Sequence, residues 1–129
     1  MVYTVIICGD RNWTDRESIS WFIKYILPSH TVIIQGGCRG ADIISKEEGE
    51  KQGHKVITIK AEWDKYGLKA GPLRNIEMMK EKPNWVIAFH EDIENSKGTK
   101  HMISLAKENG TPWVVQGKTG VLDISEYCE

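Results

Sequence analysis

Three glycines, Gly36, Gly37 and Gly40, separate the apolar run Val32-Ile33-Ile34 from a segment of helical character that opens near Arg39 to Asp42. Glycine lets the backbone turn sharply and lie close to whatever occupies the turn. A helix that starts directly behind such a turn presents unpaired N–H groups and the positive end of its dipole, an arrangement suited to a phosphate. The pattern G-G-x-x-G-x-D is neither a P-loop nor the G-x-G-x-x-G dinucleotide fingerprint. Taken alone it also fits a tight strand-to-helix turn, and Asp42 also fits a first-turn carboxylate stabilised by the dipole. Arg39 is a further candidate ligand contact, and Cys38 beside it is either a reactive thiol or an inert turn residue.

Other candidates lie on three further segments. Gly9, Asp10, Arg11 and Asn12 follow a short apolar run, and their polar tips either hydrogen-bond a sugar or base or brace the loop. Trp63 and Tyr66 either stack on a base or form satellite core. Arg74 and Asn75 fall in what the pattern gives as a helix's first turn, where an arginine offers a fork of donors to a phosphate or carboxylate, or makes a structural ion pair. His90 is either a pocket acid or base or a strand-end polar residue. Ser96, Gly98 and Thr99 lead into the last helix. Gly117-Lys118-Thr119 mimics the end of a P-loop without its leading glycine and reads as a turn.

The elements that must position these residues follow from periodicity. Strands are expected at Tyr3–Cys8, Thr31–Gln35, Lys55–Ile59, Trp85–Phe89 and Pro112–Val115. Thr14 and Glu17 have capping-box spacing ahead of a helix from about Asp15 to Leu27. A second helix should span Ala41–Gln52 and stop at Gly53. Lys60–Gly71 loses periodicity and reads as a functional loop, with Pro72 as first residue of a helix running from Leu73 to about Glu81. A second irregular loop, His90–Lys97, leads through a Gly98-Thr99 turn into a helix of about Lys100–Asn109. Residues 119–129 form an acidic tail. Strands alternating with helices argue for a Rossmann-like α/β three-layer sandwich, a mainly parallel sheet of about five strands with helices on both faces. In such sheets ligands sit beyond the carboxyl ends of the strands, where all four candidate segments fall.

A chain of 129 residues has the size of a single domain. With 40% apolar and 27% charged residues and a formal net charge of −1, it has the composition of an ordinary globular protein. No segment reaches transmembrane length and no secretory pattern opens the chain, so a cytoplasmic location without membrane contact is expected. Three cysteines without C-x-x-C spacing point to reduced thiols, with no metal site and no cofactor expected. Lysines and acids alternate along the helices and form no basic cluster, which argues against nucleic acid as a partner.

Taken together, GDRNWTD (9–15), GGCRGAD (36–42), W-x-x-Y-G-x-x-A-G-P-x-R-N (63–75) and AFH…SKGT…M (88–102) resemble the YspA-like branch of the SLOG superfamily. Its relatives include the LOG phosphoribohydrolases and the DNA-uptake protein DprA. The resemblance implies a nucleotide or nucleotide-derived, ADP-ribose-like ligand held across the Gly36–Asp42 and Gly98–Thr99 turns, and a homodimer. It makes Gly36, Gly37 and Gly40 a first phosphate turn, Ser96, Gly98 and Thr99 a second one, and Arg74 the arginine that faces a ribose-phosphate. LOG enzymes also place a glutamate three residues after the Gly-Thr pair, and that position here is Met102. A methionine neither takes a proton nor stabilises an oxocarbenium-like charge, so binding without turnover is expected. The alternatives are a phosphoribohydrolase acting on a nucleoside 5′-monophosphate, with Arg74 and a substitute acid among Asp42, Glu62, Asp64, Glu91 and Asp92, and DprA-like binding of single-stranded DNA.

Overall fold

The computed structural model describes residues 2–117 together with 120–121. Five parallel strands form the sheet: β1 (Thr4–Gly9), β2 (Val32–Gln35), β3 (Lys55–Thr58), β4 (Trp85–Phe89) and β5 (Trp113–Gly117), joined at one edge by a short antiparallel β6 (Gly120–Val121). Their spatial order is β3-β2-β1-β4-β5-β6. The chain therefore moves outward from β1 to β3, then crosses back to lay β4 against the free side of β1, with Val5 opposite Trp85 and Cys8 opposite Ala88. The reversal of order falls between β1 and β4.

Alternation along β1 divides the apolar residues between two layers. Val5 and Ile7 pack with α1 (Arg16–Tyr25) and α2 (Ala41–Lys51), in a cluster that includes Trp13, Phe22, Ile44 and Phe89. Ile6 faces the opposite side, where α4 (Ala70–Met79) and α5 (Lys97–Glu108) contribute Met78, Met102, Ile103 and Ala106. β1 is buried on both faces, as its unbroken Val-Ile-Ile run requires. Trp13 is core, edge-on to Phe89 with ring centroids 5.7 Å apart, and its indole N–H is satisfied by the Asp15 carbonyl at 2.9 Å.

Several boundaries differ from the periodicity. Asp15, not Thr14, caps α1, because its carboxylate accepts from the Ser18 N–H, and the helix ends at Tyr25. The segment expected as a loop before Pro72 carries a short α3 (Trp63–Tyr66) and a 3₁₀ turn, and α4 begins at Ala70. Pro72 is therefore its third residue; the missing N–H still falls among the four that have no acceptor within the helix. Arg74 and Asn75 accordingly stand in the second turn. α5 begins at Lys97, three residues early, because Ser96 caps it by accepting from the Thr99 N–H at 3.1 Å. Gly98 and Thr99 thus lie inside its first turn. The last parallel strand covers Trp113–Gly117 instead of Pro112–Val115. Lys118, Thr119 and residues 122–129 of the expected tail lie outside the described residues. Among the described residues no helix is long and apolar enough to cross a membrane.

Candidate functional site

A cavity of about 290 Å³ opens above the carboxyl ends of β1 and β4, at the point of strand-order reversal. Open α/β sheets place their ligands in that crevice. Its volume stands near the lower end of the range for small-molecule sites, roughly 300–1,000 Å³.

The β1 side is built by Cys8, Gly9, Asp10 and Arg11. The Asp10 N–H donates to the Phe89 carbonyl at 2.9 Å, which closes the loop onto β4. The Asp10 carbonyl accepts from Trp13 and from Ala41, tying the same loop to the start of α2. Two predicted residues complete this tie from outside the cavity: Arg39 Nη2 donates to Asn12 Oδ1 at 3.1 Å, and Arg39 Nε to the Arg11 carbonyl at 3.3 Å. Asn12 and Arg39 brace two loops, and both are exposed. Gly40 makes the approach possible. Its φ is +80°, and a Cβ there would overlap the backbone of Asp10 and Arg11.

The glycine turn after β2 satisfies its own donors. The Gly37 N–H donates to Gln35 Oε1 at 2.6 Å, and the Cys38 N–H to Asp42 Oδ2 at 3.2 Å. Ile43 and Ile44 N–H groups close onto Cys38 and Gly40. The expectation of a phosphate turn here meets a turn whose anion is its own residue, Asp42, 7% exposed and lining the cavity. A Cβ on Gly37 would meet Thr58 and Lys60, so that glycine faces away from the crevice.

Burial pushes the Asp42 carboxyl up to about 6, partly offset by the Cys38 N–H, the Arg74 charge and the Gly36 N–H. Burial, reinforced by the Asp42 charge, likewise pushes the Cys8 thiol well above its usual range. Cys8 is thereby held as a neutral thiol, and Cys38 lines the same wall. Among the described residues no cluster of His, Cys, Asp and Glu could hold a metal ion.

The opposite wall comes from α4 and α5. Arg74 is half-buried; its Nη1 donates to the Gly36 carbonyl and its Nε to Asn75 Oδ1, both at 3.1 Å. Asn75 is buried and donates to the Gly98 carbonyl at 3.1 Å, with His101 Nδ1 at the same distance. A chain of contacts therefore runs from the glycine turn through Arg74 and Asn75 to the start of α5. There Ser96, Lys97, Gly98 and Thr99 line the cavity. The N–H groups of Lys97 and Gly98 are the first two of the helix, and such donors have no acceptor within it. With the Arg74 and Lys97 side chains they make this side the electropositive one.

His90 completes the rim. Its Nδ1 accepts from the Asp92 N–H at 2.9 Å, which leaves Nε2 as the nitrogen able to meet a ligand. Trp63 and Tyr66 are not brought into the cavity lining; they are 50% and 43% exposed, on α3. Of the five carboxylates weighed as substitutes for the absent glutamate, Asp42 alone lines the cavity, and Met102 is buried in its wall. Sequence reasoning passed over Cys8 and Lys97 as lining residues. Lys97 could have been found from Ser96, since a capping serine makes the next residue the first of a helix.

This chain is 34% identical over 116 residues to the Gene 61 protein of Mycobacterium phage D29, an alignment covering 84% of this chain and 91% of that protein. The X-ray structure of DNA processing protein A (DprA) from Streptococcus pneumoniae superposes with a TM-score of 0.69 at 18% identity, over 90% of this chain. The chain spans about half the length of that protein, 50%, and at this identity the likeness is one of fold. Residues 3–66, which run from β1 through the glycine turn to α3, match the YspA, cpYpsA-related SLOG family. With that match, the phage relative and the crevice at the strand-order reversal, the chain belongs to this SLOG family.

Proposed function

We propose that this protein binds a nucleotide or nucleotide-derived ligand, ADP-ribose-like in carrying ribose and phosphate, and holds it without turnover as a cytoplasmic sensor or sequestering protein. The observation that carries the reading is the convergence of Arg74 with the opening N–H groups of α5 on one cavity of about 290 Å³. A phosphate there meets a forked cation and two backbone donors. The volume suits the ribose-phosphate end of a nucleotide, with the base toward the rim near Arg11 and His90. Absence of turnover rests on Met102, a lining residue that stands in the sequence, three residues after Gly98-Thr99, where the LOG enzymes that the chain resembles carry a glutamate.

Asp42 supports a second reading, a phosphoribohydrolase. It is a cavity carboxyl with a value near 6, within the range useful to a general acid or base. Purified protein incubated with AMP, other nucleoside monophosphates, NAD and ADP-ribose should bind at least one of them by calorimetry and release no free base by chromatography. Arg74→Ala should weaken that binding by about 1.5–3 kcal/mol, the range for hydrogen bonds to charged groups, without unfolding the chain. Base release that disappears in Arg74→Ala and Asp42→Asn installs the hydrolase reading instead. A dimer, as the SLOG resemblance implies, is checked on the same sample by light scattering.

A further inference from the structure

The three glycines of the turn after β2 do three different things, and the first bears on the ligand site indirectly. Gly36 is buried and its backbone lies outside the left-handed region, so nothing in its conformation calls for glycine. Space does. A Cβ at this position would overlap Arg74 Nη1, stand 2.8 Å from Arg74 Cζ and 2.9 Å from Asp42 Oδ2. The guanidinium has little freedom to give way, because Nη1 is bonded to the Gly36 carbonyl and Nε to Asn75, itself tied to Gly98. By contrast a Cβ on Gly37 would meet Thr58 and Lys60, away from the cavity.

We infer that Gly36 is a positioning residue for Arg74: the missing side chain is the seat that admits the guanidinium to the cavity wall beside Asp42. The inference rests on the reading of Arg74 as the ligand's cationic anchor. It replaces a direct role for Gly36 in cradling phosphate, which would have required free donors in a turn whose N–H groups at Gly37 and Cys38 are already bonded within it. A methyl at position 36 displaces the guanidinium toward the rim and leaves Asp42 without its nearest cation. The anion site then loses its fork and keeps an opposing charge.

The test is a double-mutant cycle with AMP and inorganic phosphate as probes, read by calorimetry, together with the Arg74 Nε–H resonance by NMR. Gly36→Ala should weaken AMP binding about tenfold or more, the factor that loss of a charge-assisted hydrogen bond carries, and shift that resonance. In an Arg74→Ala background it should have no further effect on affinity, because the residue through which it acts is gone. Additive losses, or an unmoved resonance with unchanged affinity, overturn the inference. Should Gly36→Ala fail to fold, Gly36→Ala/Arg74→Ala decides: recovery of folding locates the clash at Arg74, and continued unfolding refutes it. If Arg74→Ala alone leaves AMP and phosphate binding intact, the anchor reading fails, while the resonance still reports whether Gly36 seats the guanidinium.

Discussion

Asp42 is the residue on which charge and stability meet. It is buried in a cavity wall with a carboxyl pushed up to about 6, against roughly 3.9 for an unperturbed aspartate. Because the folded state holds this proton more tightly than the unfolded one, the stability Asp42 contributes is complete below about pH 4 and is lost as pH rises through about 6. Asp42→Asn keeps an acceptor for the Cys38 N–H and removes the titration. Urea unfolding should therefore show the variant gaining on wild type between about pH 4 and 7, by on the order of 3 kcal/mol. A difference that stays flat with pH would show that the carboxyl titrates normally. The same charge opposes an anion beside Arg74, so phosphate binding near pH 6 should take up more protons in wild type than in Asp42→Asn, the ligand's own ionisation being common to both. Calorimetry in buffers of different ionisation enthalpy reads this directly, and equal proton uptake by both proteins would break the link.

At the scale of elements, the start of α5 is the part of the site least like its sequence-based outline. Ser96 caps it and so turns Gly98 and Thr99 from a connecting turn into helix, with two unpaired N–H groups at the crevice. Ser96→Ala should cost about 1 kcal/mol of stability and also weaken AMP binding, because the cap holds the donors in line. Asp15→Ala removes the corresponding cap of α1, whose start lies outside the cavity. It should cost a similar amount of stability with affinity per folded molecule unchanged. If thermal melts and calorimetry give the two variants the same loss of affinity, the α5 start is not a ligand contact. The shift of α4 matters in the same way. By beginning at Ala70 it carries Arg74 one turn inward, where the side chain lies across the sheet end and reaches the Gly36 carbonyl.

For the whole molecule, the strand order places the outward-running β1-β2-β3 half against the β4-β5 half, and the crevice between their loops is the candidate site. DNA processing protein A shares this fold, and the likeness is one of fold alone. With 17 Lys and Arg against 18 Asp and Glu, the chain lacks the surplus of cations that drives binding to a phosphate backbone. A labelled single-stranded oligonucleotide should show no anisotropy change with micromolar protein at about 0.15 M salt. Saturable binding that falls steeply as salt rises would move the function toward nucleic acid.

What the sequence determined by itself was the alternation of strands and helices, the buried Val-Ile-Ile and Trp-Val-Ile-Ala-Phe strands, and the placing of four polar segments at one sheet edge. Those features follow from local pattern: β-branched runs bury on two faces, and a glycine or proline that follows a periodic run marks where the element ends. Tertiary structure alone decided which of the candidates share a cavity. Arg39 and Asn12 are spent on each other, Trp63 and Tyr66 stand outside, and Cys8, Lys97 and Met102 come in, because each outcome depends on contacts between residues far apart in the chain. The glycine turn shows the division most clearly. Three glycines in a row of five residues read as one phosphate motif, yet Gly36 faces Arg74, Gly37 faces Thr58 and Lys60, and Gly40 faces the Asp10 loop. Spacing along the chain states that these positions lack a Cβ; only the packing around each one states what takes its place.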